Sequence, residues 1–172
     1  MSEQSLLIYK LMILYMLDNV DFPMTNSQLS EFFVSHGYTT YFQFQEAANE
    51  MTDGGFLRAE VVRNTTRYYM MDRGREALSL FTDSIPDAFK EDILNYFAEK
   101  KYQLRREVEI TADYYPLKGG EYMVEASIRE KGSLLLSLSL NVVSKEQAVL
   151  VCDRWKETSD EVYQSLIRQL LL

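Results

Sequence analysis

The chain is 172 residues long, with a formal net charge of −8 at neutral pH, 47% hydrophobic residues and 13% aromatics. That is room for one average domain or two small ones, and enough apolar material to exclude wholesale disorder. The acidic total counts against nucleic acid as a partner for the surface at large, because affinity for phosphate comes from lysine and arginine. It does not exclude a local basic face.

Cys152 is the only cysteine, so no intrachain disulfide forms and a reducing compartment fits. The most apolar stretch, residues 6–17, is broken by Lys10 and falls short of the about 20 residues a bilayer needs. It also lacks the basic flank and small-residue cleavage site of a signal peptide. A soluble cytoplasmic protein without a membrane segment is expected.

In chain order, residues 6–20 read as a helix that is apolar nearly all round and must be covered on more than one side, by its own domain or by a second subunit. Phe22-Pro23 breaks the chain. Thr25 with Gln28 forms a capping box for a helix carrying Leu29, Phe32 and Phe33, which stops at Gly37. Thr40 with Gln43 caps the next helix, which buries Phe44, Ala47, Ala48 and Met51 at i, i+3, i+4, i+7 and ends at Gly54-Gly55. From Phe56 the period becomes two. Leu57, Ala59 and Val61 face inward on one strand, Asn64-Thr65 turns the chain, and Tyr69 and Met71 face inward on the return. Asp72 is placed to cap a helix with Ala77, Leu78 and Phe81.

Pro86 opens a connecting helix with Phe89, Ile93, Tyr96 and Phe97 on one face. Residues 104–114 then alternate, with Leu104, Val108, Ile110, Ala112 and Tyr114 on one side and Arg106 interrupting that parity. A second strand carries Tyr122, Val124, Ala126 and Ile128. A third carries Leu134, Leu136, Leu138, Leu140 and Val142, completing an antiparallel meander with one buried face. Ser144 with Gln147 caps a helix burying Ala148, Val151, Cys152 and Trp155, and Thr158 with Glu161 caps a last one burying Val162, Leu166, Ile167 and Leu170.

The fold expected is α+β: an N-terminal winged helix-turn-helix over residues 1–83, a connecting helix over 84–101, and a three-stranded antiparallel sheet covered by two C-terminal helices over 102–172.

The run Tyr69-Met70-Met71-Asp72-Arg73-Gly74-Arg75-Glu76-Ala77-Leu78 resembles the wing-to-helix junction of many bacterial regulators. Their pattern is tyrosine, any residue, leucine, threonine, two residues, glycine, then an apolar position four residues on. Met71 replaces the leucine and Asp72 the threonine. Residues 25–55 likewise resemble the helix-turn-helix of the multiple-antibiotic-resistance and phenolic-acid regulators. Over its whole length the chain is similar to a bacterial winged-helix family described only as domain of unknown function 4364. The resemblance implies a fold and a regulator-like role, and it brings no activity.

In such a unit the second helix enters the major groove, so the expected DNA-reading residues are Thr40, Tyr41, Gln43, Gln45 and Asn49. The hairpin adds Arg58, Arg63, Asn64, Thr65 and Arg67, whose arginine side chains suit a minor groove or flanking phosphates unless they are solvated or paired with Glu60 and Glu76. Against this, the second helix has no Lys or Arg and carries Glu46, Glu50 and Asp53. Residues 1–83 hold six basic and eleven acidic side chains, net −5. Binding should then be weak, steeply salt-dependent and helped by a homodimer that doubles the arginines.

The chemistry expected elsewhere is sparse. His36 at a helix end reads as a cap and Cys152 as a buried inert thiol. No metal-ligand spacing or phosphate-binding glycine loop occurs, so no cofactor, metal or enzymatic activity is expected. Tyr114, Tyr115 and Tyr122 either line a pocket or edge the second core. Two functions follow: a homodimeric DNA-binding transcriptional regulator, or a winged-helix module that binds another protein.

Overall fold

A computed structural model describes residues 2–172, a mixed α+β chain with six α-helices and two three-stranded antiparallel sheets among the described residues. It divides into two compact units, one ending at Arg105 and the other spanning Arg106–Leu172.

The first unit opens with α1 (Glu3–Asp18), capped by the Ser2 hydroxyl, which accepts from the Ser5 N–H. Leu11, Met12, Ile13, Leu14, Met16 and Leu17 are all buried, against α3, α4 and β3. The all-round apolar helix is therefore covered within its own unit. A two-residue strand, β1 (Met24–Thr25), follows the Phe22-Pro23 break, and no sequence periodicity reveals so short an element.

Thr25 also caps α2 (Asn26–Ser35). Its hydroxyl accepts from the Gln28 N–H at 3.1 Å, and the Gln28 side chain accepts from the Thr25 N–H at 3.0 Å, so the expected capping box is complete. At the far end His36 closes the helix, its Nδ1 2.9 Å from the Phe32 carbonyl and its ring 4.3 Å from that of Phe32. α3 (Tyr41–Asp53) starts from Thr40, whose hydroxyl accepts from the Gln43 N–H, and buries Phe44, Ala47, Ala48 and Met51 as its spacing predicts.

The hairpin β2 (Leu57–Val62) and β3 (Thr65–Met70) differs from expectation in two ways. Arg63 and Asn64, both at positive φ, form the two-residue turn, and Thr65 already pairs with Val62. The buried parity is also shifted. Tyr68, not Tyr69, lies in the core opposite Ala59 and Met24, while Met71 is exposed. Only Leu57 of β2 is buried and Val61 is 70% exposed. β1 joins β3, giving the order β1-β3-β2.

α4 (Asp72–Phe81) begins after Met71, which makes no side-chain cap. Asp72 is instead the first helical residue and accepts from Arg75 at 2.9 Å, so its expected capping role fails. Gly74 is buried. A Cβ there would lie 2.5 Å from the Phe56 carbonyl oxygen and 3.0 Å from Leu14, which gives the glycine of the junction motif its reason: close backbone approach. After a 3₁₀ turn (Thr82–Ser84), α5 (Asp87–Glu109) runs 23 residues. The strand expected from residue 104 therefore begins only at Ile110. Ile93, Phe97, Leu104 and Val108 are buried at helical spacing, and Arg106, which interrupted the alternation, was the sequence signal of that continuing helix.

In the second unit β4 (Ile110–Pro116), β5 (Tyr122–Glu130) and β6 (Ser133–Val142) form the expected meander, order β4-β5-β6. One helix, α6 (Lys145–Leu171), covers it instead of the two expected. Thr158 does not cap; its hydroxyl donates to the Arg154 carbonyl within the helix at 2.8 Å, and no glycine or proline interrupts the 27 residues. Ile110, Ala126, Ile128 and Trp155 form one apolar cluster, and Val124, Val142, Ala148 and Cys152 form another, edged by Tyr114 and Tyr122. Trp155 Nε1 donates to the Ser127 carbonyl at 3.3 Å.

A bulge sets Ile128 opposite Leu136 but Arg129 opposite Leu134. Leu134 thereby turns to the face away from α6, so four and not five of the expected inward residues share a face. Even these are unevenly covered, since α6 lies chiefly over β4 and β5.

Candidate nucleic-acid interface

The exposed side of α3 is built by subtraction. With four apolar residues fixed inward, Tyr41, Phe42, Glu46, Asn49, Glu50 and Asp53 face out, and Gln43 and Gln45 are half-buried. Between the N-termini of α2 and α3 and the hairpin tip lies a recess of about 440 Å³. It is lined by Asn26, Ser27, Tyr41, Gln45, Asn64, Thr65 and Thr66, none of them charged.

Hydrogen bonds order its floor. Asn26 Nδ2 donates to Gln45 Oε1 at 2.8 Å and to the Tyr68 hydroxyl at 3.0 Å, while Gln45 Nε2 donates to Asn49 Oδ1 at 3.2 Å. Two amide side chains are thus held in one orientation before any ligand arrives. Of the expected reading residues, the recess brings Tyr41, Gln45, Asn64 and Thr65 together, and Asn49 joins through Gln45. Thr40 is exposed at the helix cap, and Gln43 turns back to accept from the Thr39 hydroxyl at 2.6 Å. Asn26, Ser27, Thr66 and Tyr68 were missed. Asn26 follows a capping residue, and nothing in its local sequence marks it as more than the first helical position.

The arginines do not gather as a basic face. Arg58 lies 4.2 Å over the Tyr69 ring and pairs with Glu60 at 3.0 Å. Arg73 donates to the Gly54 carbonyl at 2.6 Å and sits over Phe56, and Arg75 pairs with Asp72. Arg67, on β3, is only 9% exposed. Arg63 at the turn remains half-buried, its Nη1 enclosed without a hydrogen-bond partner. Among the acids, Glu50 on α3 is paired with Lys10 from α1, which removes one of the three carboxylates opposing a phosphate backbone there.

Behind α2, Tyr38 donates to Asp92. Burial first, and then that carboxylate, push its phenol above the ordinary tyrosine value. It stacks against Phe32 and meets Phe89 edge-on, so its role is to close the aromatic core. No group of three potential metal ligands exists among the described residues.

The geometry defines an α+β protein with a polar, amide-lined recess between two helix N-termini and a hairpin tip. A family model described as domain of unknown function (DUF4364) matches residues 9–170, nearly the whole chain, and the protein belongs to that family. No curated protein and no solved structure matches it. No helix among the described residues is long and apolar enough to cross a membrane.

Proposed function

We propose that the first unit is a winged helix-turn-helix acting in the cytoplasm as a DNA-binding transcriptional regulator, with α3 as the reading helix and the β2–β3 hairpin as the wing. The element order, helix–strand–helix–helix–hairpin–helix with a β1-β3-β2 sheet, supports this. The observation that carries it is the pre-ordered amide pair Asn26–Gln45 with Asn49 beside it, since asparagine and glutamine pair with the major-groove edge of adenine. Sequence reading in this protein rests on amides and hydroxyls. With Arg58, Arg73 and Arg75 already engaged, few phosphate contacts remain, so binding is weak and its salt slope is shallow, not steep as the sequence charge implies.

Electrophoretic shift with genomic fragments at low and moderate salt tests this. Gln45→Ala with Asn49→Ala should weaken binding to the preferred fragment roughly tenfold or more, the loss expected for one or two bidentate base contacts. Arg63→Ala should weaken binding to all fragments alike. Arg67 is unsuitable for this test because it is buried in the sheet.

One observation favours a second reading, a winged helix that docks another protein. Phe42 is 84% exposed on α3, beside Tyr41, in a unit three of whose arginines are already held by partners of their own. Absence of any shift at low salt, with the fold intact, would select this alternative.

A further inference from the structure

We infer that β6 is the subunit interface, pairing antiparallel with β6 of a second copy across a two-fold axis at Ser139. The inference is independent of what the first unit binds.

The sheet has two edges, and they are built differently. β4 is seven residues long, ends in Pro116, which has no N–H to offer, and carries Asp113, whose carboxylate accepts from the Tyr114 N–H at 2.8 Å. Charge, proline and a side chain that satisfies a backbone donor are the ordinary means of stopping an edge from recruiting another strand. β6 has none of these. Its ten residues, Ser-Leu-Leu-Leu-Ser-Leu-Ser-Leu-Asn-Val, contain no charge and no proline, and it pairs with β5 alone. The corresponding edge of the first sheet, β2, carries Arg58 and Glu60.

The composition of β6 also selects the partner. In a two-fold interface the strand meets itself, residue i against residue j of the copy and only the axial residue against its own kind. A strand with net charge therefore repels its copy, and in a molecule of net charge −8 an uncharged strand suits a copy of itself. Beyond the bulge, residues 136–142 are regular. Pairing them about Ser139 sets Leu136 against the partner's Val142, and Leu138 against the partner's Leu140, on the face toward α6. On the other face Ser137 meets the partner's Asn141 and Ser139 meets its own copy. A slip of one residue would oppose leucines to serines along the whole strand.

Leu140, 45% exposed although it faces the α6 side, is then covered by the partner's Leu138. Roughly 24 Å of edge across a sheet-and-helix slab roughly 20 Å thick closes on the order of 500 Å² per partner. That is below the roughly 800 Å² of a standard interface, so the dimer is reversible.

Sedimentation of the full chain from one to several hundred micromolar tests this, with circular dichroism verifying the fold of each variant. Wild type should pass from monomer to dimer within that range. Ser139→Lys, at an exposed position, sets two ammonium groups face to face and should leave only monomer, whereas Val61→Lys on the β2 edge should leave dimerisation unchanged. In a Cys152→Ser background, Ser139→Cys should form an intermolecular disulfide under a mild oxidant and Asn141→Cys should not, since directly opposed residues lie within disulfide reach. A monomeric wild type, a dimer that survives Ser139→Lys, or cross-linking through Asn141→Cys in preference to Ser139→Cys would each overturn the inference.

Discussion

The two units close their cores differently. In the first, aromatic rings close on one another (Phe32 alone meets Phe33, His36, Tyr38 and Tyr96) and three of the arginines are held by carboxylates, a carbonyl or rings of the same unit. In the second, a single helix covers a three-stranded sheet incompletely and leaves leucines of an uncharged edge half-exposed. Positive charge, the usual medium of recognition for a nucleic-acid binder, is engaged within the first unit at Arg58, Arg73 and Arg75. Apolar side chains stand open in both units, but in the second they lie along an uncharged strand edge. The first unit is therefore read through its hydrogen-bonding recess and the second through its edge.

Matched truncations test the contrast most directly. Phe32→Ala should cost about 3–5 kcal/mol, because the residue is fully enclosed and the rings around it cannot collapse into the space. Leu140→Ala, the corresponding change on the open edge, should cost less than about 1 kcal/mol in the dilute protein. Similar losses in thermal or urea unfolding would erase the distinction.

Gly74→Ala sharpens the picture of the first unit. Alanine is the better helix former, yet a methyl group 2.5 Å from the Phe56 carbonyl must push α4 off the hairpin base. A loss of about 1–3 kcal/mol is expected where helix propensity alone predicts a gain. In the second unit, Trp155→Phe keeps most of the ring but leaves the Ser127 carbonyl without its donor, a cost of about 1–2 kcal/mol in chemical denaturation.

The smallest effect concerns alkaline pH. Tyr38 holds its proton more tightly when folded than unfolded, so its contribution is complete below about pH 10, the ordinary tyrosine value, and declines as pH rises above it. Tyr38→Phe should be slightly less stable than wild type at neutral pH and should lose less between pH 9 and about 11. Parallel pH profiles for the two proteins would assign the alkaline loss to other groups.

The helices were legible because burial repeats at 3.6 residues. The inward set of α3 and the caps at Thr25, Thr40 and Ser144 follow from that period and from local hydrogen bonding. Short-range alternation was less reliable. The hairpin offered apolar residues at both parities, and β1 decided which was buried by pairing Met24 with Tyr68. Residues 104–109 alternate like a strand yet continue α5, since Leu104 and Val108 also satisfy a helical spacing.

The candidate site was half legible. Gln45, Asn49 and the hairpin tip could be named from position in the chain, but Asn26 and Tyr68 enter only because the fold brings them to α3 across 19 and 23 residues of chain. The fate of the arginines was legible in part: Glu60 was named as a partner and pairs with Arg58, but Arg75 takes Asp72 and not Glu76, and Arg73 turns to the Gly54 carbonyl and Phe56, both remote in sequence.

By itself, then, the sequence determined where α2 and α3 start and stop, which of their faces are apolar, and that the chain is mixed α+β, because these depend on neighbours within about four positions. The tertiary structure alone decided the parity of the hairpin, the fusion of the last two helices into one, the bulge that turns Leu134 outward, and the turn of Arg73 onto the Gly54 carbonyl. Those features depend on contacts distant in sequence, whose geometry no local pattern encodes.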